Sequence, residues 1–436
     1  MTVTQQRAYH FVGLALCLGL SIWGCGDDDS SGTSCTKDTD CGDTEVCSSG
    51  SCIDPSTGGL LSNTTTGSNS TSNNTAASNA TSNATTPQTC DTPSGVAEPS
   101  VYARVYTDTN ASDESSYVGG FEPGTDTPME GVKVRLFSPE GATETFTCAD
   151  GQIAFGGLTE GSHVISPEFE AGATCGQRNC PRRFPEALAE GQVTIVTFGD
   201  SVPVVGDQPL FPSRLADLLA PLATIDNQNL AVGGTTSDNW LPGTSNFQNR
   251  LAPAIPDADV VMISLGGNDI LAYVQGLFTG GGGPNLGDIP ALIASVTEEV
   301  SRIIDNILQI TDAIREINAN VDIVYILYPD YSLAQNNQLW SLVNTFVGAE
   351  AVSDILVSAR TNIPRDADLV LIDIFAASEG LPLDDYLVDP LHFNTLGQTL
   401  YAEEIFKGLG GILIGPSPLS GGARTPLGLE TSFSVQ

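Results

Sequence analysis

Basic residues are scarce in this chain: 16 Lys and Arg stand against 52 Asp and Glu among 436 residues, a formal net charge of −36. A field of that sign repels polyphosphate and anionic lipid, so nucleic acid is not an expected partner. Histidine is scarcer still, with three copies. His10 falls in an apolar leader and His163 in a Gly-rich stretch of short β-like runs, which leaves His392 as the base available to the C-terminal half. No cysteine follows Cys180, so that half has no thiol nucleophile. No run of about 18 apolar residues occurs, and no lasting transmembrane helix is expected. The Gly-rich stretch 279–284 lacks the Lys-Ser/Thr of a phosphate-binding loop and reads as a loop beside the site. Neither cofactor nor metal is expected.

Against these absences stands Gly199-Asp200-Ser201, placed directly after the apolar run 193–198. A tight strand-to-helix turn presents a serine at the top of an α/β sheet. At the far end of the same half, Asp389 and His392 stand three residues apart. A serine hydroxyl is a poor nucleophile until a base takes its proton, and the base needs a partner that fixes its tautomer. Two further segments could supply donors for an oxyanion. Gly234, in Gly233-Gly234-Thr235-Thr236, can offer an unobstructed backbone N–H; Asn268, in Gly266-Gly267-Asn268-Asp269, can offer a side-chain amide. The N–H of Ser201, expected at a helix start, is a third donor. Asp269, Asp384 and Asp385 compete with Asp389 as partner of the histidine. Asp200 reads as a turn former rather than an acid.

These four segments, in order, resemble the blocks of the SGNH/GDSL hydrolase superfamily over residues 192–412. The resemblance implies that Ser201 is the nucleophile and His392 the base, and that Asp389 orients the histidine. It also implies an oxyanion hole made of Ser201, Gly234 and Asn268. Valine follows Ser201 where the family commonly has Leu or Ile, a conservative departure.

The fold class follows from hydrophobic patterning. Residues 193–198, 223–232, 258–265, 321–328 and 368–374 are nearly continuous apolar runs, as expected of strands buried on both faces of a parallel sheet. Helical stretches at 289–318, 339–360 and 394–408 separate or follow them. The expectation is an α/β doubly wound, flavodoxin-like parallel sheet, with the candidate residues gathered at the carboxyl ends of its strands.

Upstream lie segments of a different kind. Residues 1–25 have an Arg7-bearing start and a short apolar core, and they end at Ile22-Trp23-Gly24-Cys25. That ending resembles a bacterial lipobox, which implies cleavage and lipidation at Cys25; a plain secretory peptide is the alternative. The expected location is therefore exported, on an outer membrane or cell surface, and held to the membrane by a lipid anchor only. Residues 26–54 combine an acidic tether with a cluster of Cys35, Cys41, Cys47 and Cys52. Setting Cys17 and Cys25 aside leaves eight of ten cysteines, an even number that suggests four disulfides in an oxidising compartment. Pairing Cys175 with Cys180 would leave Cys90 for Cys148. Zinc is the competing reading of the first cluster, but it has no histidine and no C-x₂-C pair. Residues 55–89 are almost entirely Ser, Thr, Asn, Ala and Gly, a flexible linker with a random-coil span of roughly 30 Å.

Residues 90–188 alternate short β runs with Gly, Pro and Asp turns, and resemble a small prealbumin-like β-sandwich. Residues 413–436 read as a flexible tail. Together these features point to an exported serine esterase acting on acyl esters, acetyl esters included, with a small ester or an acylated polysaccharide as substrate. An acyltransferase acting on carbohydrate and a surface binding protein on the same scaffold are the rival readings.

Overall fold

The computed structural model describes residues 46–48, 51–53, 99–107, 124–169, 181–279, 289–346, 349–350, 353–354, 357, 363, 369–415 and 429–435. The chain divides into two compact units, one of them Leu20–Pro87. Within it, β1 (Val46–Ser48) and β2 (Ser51–Ile53) form an antiparallel hairpin that sets Cys47 opposite Cys52. The leader, Cys25 and the linker 55–89 lie outside the described residues.

The second unit includes everything from Gln88 onward. Its first part holds β3 (Ser100–Thr107), β4 (Thr127–Pro128), β5 (Lys133–Ser138), β6 (Gly141–Phe146), β7 (Gln152–Gly156) and β8 (Gly161–Pro167). They belong to two sheets, with β3, β4 and β7 in one and β5, β6 and β8 in the other. Alternate residues point inward, so Val101, Val105 and Ile153 from one sheet meet Val134, Leu136 and Ile165 from the other. Cys148, after β6, is disulfide-bonded. The bridges expected among the other cysteines fall on side chains outside the described residues.

α1 (Arg183–Glu190) then leads into the α/β layer. The parallel sheet comprises β9 (Gln192–Gly199), β10 (Thr224–Asn229), β11 (Val260–Ser264), β12 (Asp322–Ile326) and β13 (Val370–Ile372), in spatial order β10-β9-β11-β12-β13. Every pairing is parallel. This is the doubly wound, flavodoxin-like order. The continuous apolar runs have a direct cause. Val260 and Met262 pack into a core on one face, while Val261 and Ile263 pack into a second core on the other. Between and after these strands run α2 (Phe211–Leu219), α3 (Gly267–Thr279), α4 (Ile289–Ile317), α5 (Gln338–Phe346) and α6 (Thr395–Gly408). α1, α2 and α6 cover the first face and α4 the second.

The two expected segment ends differ from what the structure contains. The expected β-sandwich runs to 188, yet Phe184, Ala187 and Leu188 of α1 pack into the first α/β core with Phe137 and Val164 of the sandwich. The flexible-tail reading of 413–436 also needs correction. β14 (Gly411–Ile414) pairs antiparallel with β8, and β15 (Leu429–Val435) pairs in parallel with β3. Gly, Pro and Ser dominate at 415–422, but Leu429, Thr431, Phe433 and Val435 carry a period-two pattern suited to a strand. That strand completes a sheet begun more than three hundred residues earlier, a pairing that local composition does not encode.

Candidate active site

β9 ends at Gly199, whose φ of +144° is open to glycine alone in practice. A Cβ there would stand 1.9 Å from the Ser264 carbonyl oxygen. The close approach lets Asp200 N–H donate to that oxygen at 2.9 Å and swings Ser201 over the sheet edge. Asp200 Oδ1 accepts Val202 N–H at 3.0 Å and Oδ2 accepts the Tyr328 hydroxyl. Burial is the largest influence on Asp200 and raises its carboxyl to about 6, against the opposing pull of those hydrogen bonds. Asp200 is therefore a turn former with both oxygens engaged.

Ser201 does not open a helix, contrary to the expectation. Its carbonyl accepts N–H bonds from Val204 at 3.0 Å and Val205 at 2.7 Å, a single turn. Gly206 then leaves helical space at φ +133°, where a Cβ would meet the Phe393 carbonyl oxygen at 2.4 Å, and α2 begins only at Phe211. Asn229, at the end of β10, holds this turn by donating to the Pro203 carbonyl at 2.7 Å.

The loop after β13 brings the other members. His392 Nδ1 lies 2.7 Å from Asp389 Oδ2, and its Nε2 lies 2.9 Å from Ser201 Oγ. With Nδ1–H donating to the carboxylate, Nε2 is left to accept the serine proton. Asp389 Oδ1 also accepts N–H bonds from Leu391 and His392, each at 2.8 Å. Burial opposes ionisation of Asp389, but the His392 ring and the two backbone N–H groups outweigh it and hold the carboxyl at about 2. Ser201 and His392 are 7% and 3% exposed. Trp340 Nε1 donates to the Pro390 carbonyl at 2.7 Å and the Tyr331 hydroxyl to that of Leu391 at 2.9 Å, fixing the loop from the α5 side.

Two of the three rival carboxylates are engaged elsewhere, and Asp385 is bonded through its backbone carbonyl. Asp384 Oδ2 accepts Asn336 N–H at 2.9 Å. Asp269 accepts from Ser237 and from Arg302. Asp385 offers its carbonyl to Asn394. None of them is bonded to the imidazole.

Asn268 sits in the first turn of α3 and donates from Nδ2 to the Thr235 carbonyl at 3.0 Å, which leaves its second amide hydrogen for a ligand. Gly234, at φ +79°, lies one residue before Thr235 on the loop after β10. That loop is bound to the Gly199 carbonyl by Val232 N–H at 2.9 Å and Thr235 Oγ1 at 3.0 Å. Ser201 and Asn268 line one cavity of about 110 Å³; Gly234 is exposed and does not line it. Leu265, Ile270, Leu271, Val300, Ile303 and Ile304 form much of the remaining wall.

A hydroxyl facing an oriented imidazole, beside an amide donor at the carboxyl ends of parallel strands, is equipped for acyl transfer. Residues 195–405 match the family model of the GDSL-like lipases/acylhydrolases. This segment is a GDSL-like lipase/acylhydrolase domain. The GDSL-like domain is a serine ester hydrolase in type, and it begins within β9 and ends within α6. No curated protein matches the chain. Solved structures similar to it include a lipase from a goat rumen metagenome, at 17% identity over 50% of this chain and 98% of that one, with a TM-score of 0.39. An acetylxylan esterase from Geobacillus stearothermophilus has 14% identity, coverage of 50% and 94%, and a TM-score of 0.31. For phospholipase A1 from Streptomyces albidoflavus NA297 the values are 15%, 50% and 99%, and 0.35.

Several residues of the GDSL-like site escape sequence reasoning. Tyr328 and Tyr331 follow β12, so their place after a strand end was a usable signal. Ser237, Arg302 and Asn306 come from segments with no recognisable motif.

Proposed function

We propose that the protein is an exported serine esterase that cleaves acyl esters through an acyl-enzyme on Ser201. The observation that carries this reading is the unbroken hydrogen-bond chain Asp389–His392–Ser201 opening onto an apolar cavity. Ser201 Oγ attacks the ester carbonyl carbon while His392 Nε2 takes the hydroxyl proton. The negative charge moves onto the carbonyl oxygen, where Asn268 Nδ2 and the Ser201 N–H, both at the cavity, receive it; the family resemblance adds the Gly234 N–H from the adjoining loop. Collapse breaks the bond to the alcohol oxygen, which leaves with the proton from His392. Water then repeats the sequence on the acyl-enzyme, with His392 again as base, and releases the carboxylic acid and free Ser201.

The cavity also bears on the acyl group. The leaving alcohol must lie against His392 Nε2, so the acyl chain occupies the part walled by α3 and α4. That part offers alkyl side chains, which favour an alkyl chain of several carbons over acetyl. Each buried methylene is worth about 0.8 kcal/mol, roughly fourfold in kcat/KM. A panel of p-nitrophenyl esters should show kcat/KM rising from acetate through butyrate to octanoate. An acetate optimum would transfer the reading to acetyl esters, including acetylated polysaccharide, and no turnover of any ester would overturn it. Adding sugar acceptors to the same assay separates hydrolysis from acyl transfer by product analysis.

Export and anchoring rest on the leader and Cys25. Cys25→Ser should move the protein from the membrane fraction to the soluble one. Retention of the variant in the membrane fraction would defeat the lipid-anchor reading.

A further inference from the structure

We infer that Asp269 is a positioning residue that clamps Asn268, the amide donor that lines the cavity, to the loop that carries Gly234. The inference rests on the esterase reading above and concerns how its oxyanion hole is kept in register.

Both segments pass through a glycine with positive φ. Gly234 itself has φ +79°, and Gly266, two residues before Asn268, has φ +120°. Two links join these segments. Asn268 Nδ2 donates to the Thr235 carbonyl at 3.0 Å. One residue on from Asn268 and two on from Thr235, Asp269 accepts Ser237 N–H at 2.9 Å on Oδ2 and the Ser237 hydroxyl at 2.6 Å on Oδ1. Consecutive residues of α3 therefore hold consecutive parts of the loop that carries Gly234.

α4 backs the clamp from outside. Arg302 Nη2 donates to Asp269 Oδ1 at 3.2 Å while its Nη1 donates to Asp238 at 2.9 Å. Asn306, one helical turn on, donates to Ser237 Oγ at 2.9 Å and to Asp238 Oδ1 at 2.8 Å. The Asp269 side chain is completely shielded from solvent, so its charge is satisfied by these partners rather than by water. Oxyanion donors act only when they lie within hydrogen-bond reach of the position the charge will occupy, and a misplacement near 1 Å can cost about 10²-fold. A clamp between the start of α3 and the loop that carries Gly234 sets the position of Asn268 without touching the substrate.

A double-mutant cycle on the full chain tests the assignment, with kcat and KM measured on one p-nitrophenyl ester. Asp269→Ala should lower kcat by roughly 10- to 10²-fold with KM nearly unchanged. In the Asn268→Ala background the same substitution should cost only a few-fold, because the donor it positions is already gone. Ser237→Ala, which removes the hydroxyl's bonds to Asp269 and Asn306 and leaves the backbone bond in place, should repeat the pattern at smaller amplitude and decides the matter if Asp269→Ala does not fold. Equal losses in both backgrounds, or a rise in KM alone, would overturn the clamp while leaving the esterase reading intact. A wild-type chain that turns over no ester would remove the reading on which the clamp rests.

Discussion

Ser201→Ala and His392→Ala should each abolish acyl-ester turnover almost completely, with losses on the order of 10⁶ in kcat, and the double substitution should cost no more than either alone. The non-additivity follows from the geometry. Among the described residues the hydroxyl proton has one acceptor, His392 Nε2 at 2.9 Å, and that imidazole faces no other nucleophile. Removing either group leaves the other idle. Rate measurements on the three variants, with thermal melting as a control for folding, check the result. Ser201→Ala retaining a tenth of the activity would mean that another group attacks the ester. A residual rate above uncatalysed hydrolysis is still expected, because the oxyanion donors survive both substitutions. Asp389 should behave differently in degree. Its carboxyl orients the ring without exchanging a proton with the substrate, and its loss should cost less than loss of the base it serves.

How much of this was legible in the sequence depends on the range over which each feature is encoded. The interior strands of the parallel sheet were readable because burial on both faces makes a whole segment apolar, as Val260–Ser264 illustrates, whereas the edge strand β10 is polar and has no buried residue. Gly199 and Ser201 were readable because a sharp turn after such a strand requires glycine. The tie between Ser201 and His392 spans 191 residues, and the scarcity of histidine together with the resemblance of the sequence blocks made it traceable. Where neither composition nor a local turn carries the information, sequence reading stops short. The helix expected at Ser201 is a single turn, because Gly206 and its contact with Phe393 are set by the loop after β13. β15 reaches its sheet through a parallel pairing with β3, which no neighbouring residue announces. Asp269 looked like a rival partner for the imidazole, since carboxylates beside a motif look alike until their neighbours are known. Its partners, Ser237 on a loop and Arg302 on α4, lie 32 and 33 residues away.

Asn268→Ala should lower kcat by roughly 10²–10³, about 2.7–4 kcal/mol, and leave KM close to its original value. The split between the two constants is the informative part. One hydrogen of the Asn268 amide is already committed to the Thr235 carbonyl, so the side chain is held in place before any substrate arrives. The second hydrogen faces the ester oxygen weakly in the ground state and strongly once that oxygen carries charge, which confines the effect to the chemical step. Alanine also breaks the link to Thr235, so part of the loss comes from a Gly234 loop that is then fixed by Ser237 and Asp269 alone on that side. Asn268→Asp keeps the size of the side chain but places a carboxylate beside the Thr235 carbonyl and the developing oxyanion. It should therefore be at least as damaging as alanine, which separates charge stabilisation from simple packing. Steady-state kinetics on a single ester resolves these cases. A raised KM with kcat intact in Asn268→Ala would make Asn268 a substrate-binding residue, and the oxyanion hole would then have to be built from the backbone N–H groups of Ser201 and Gly234.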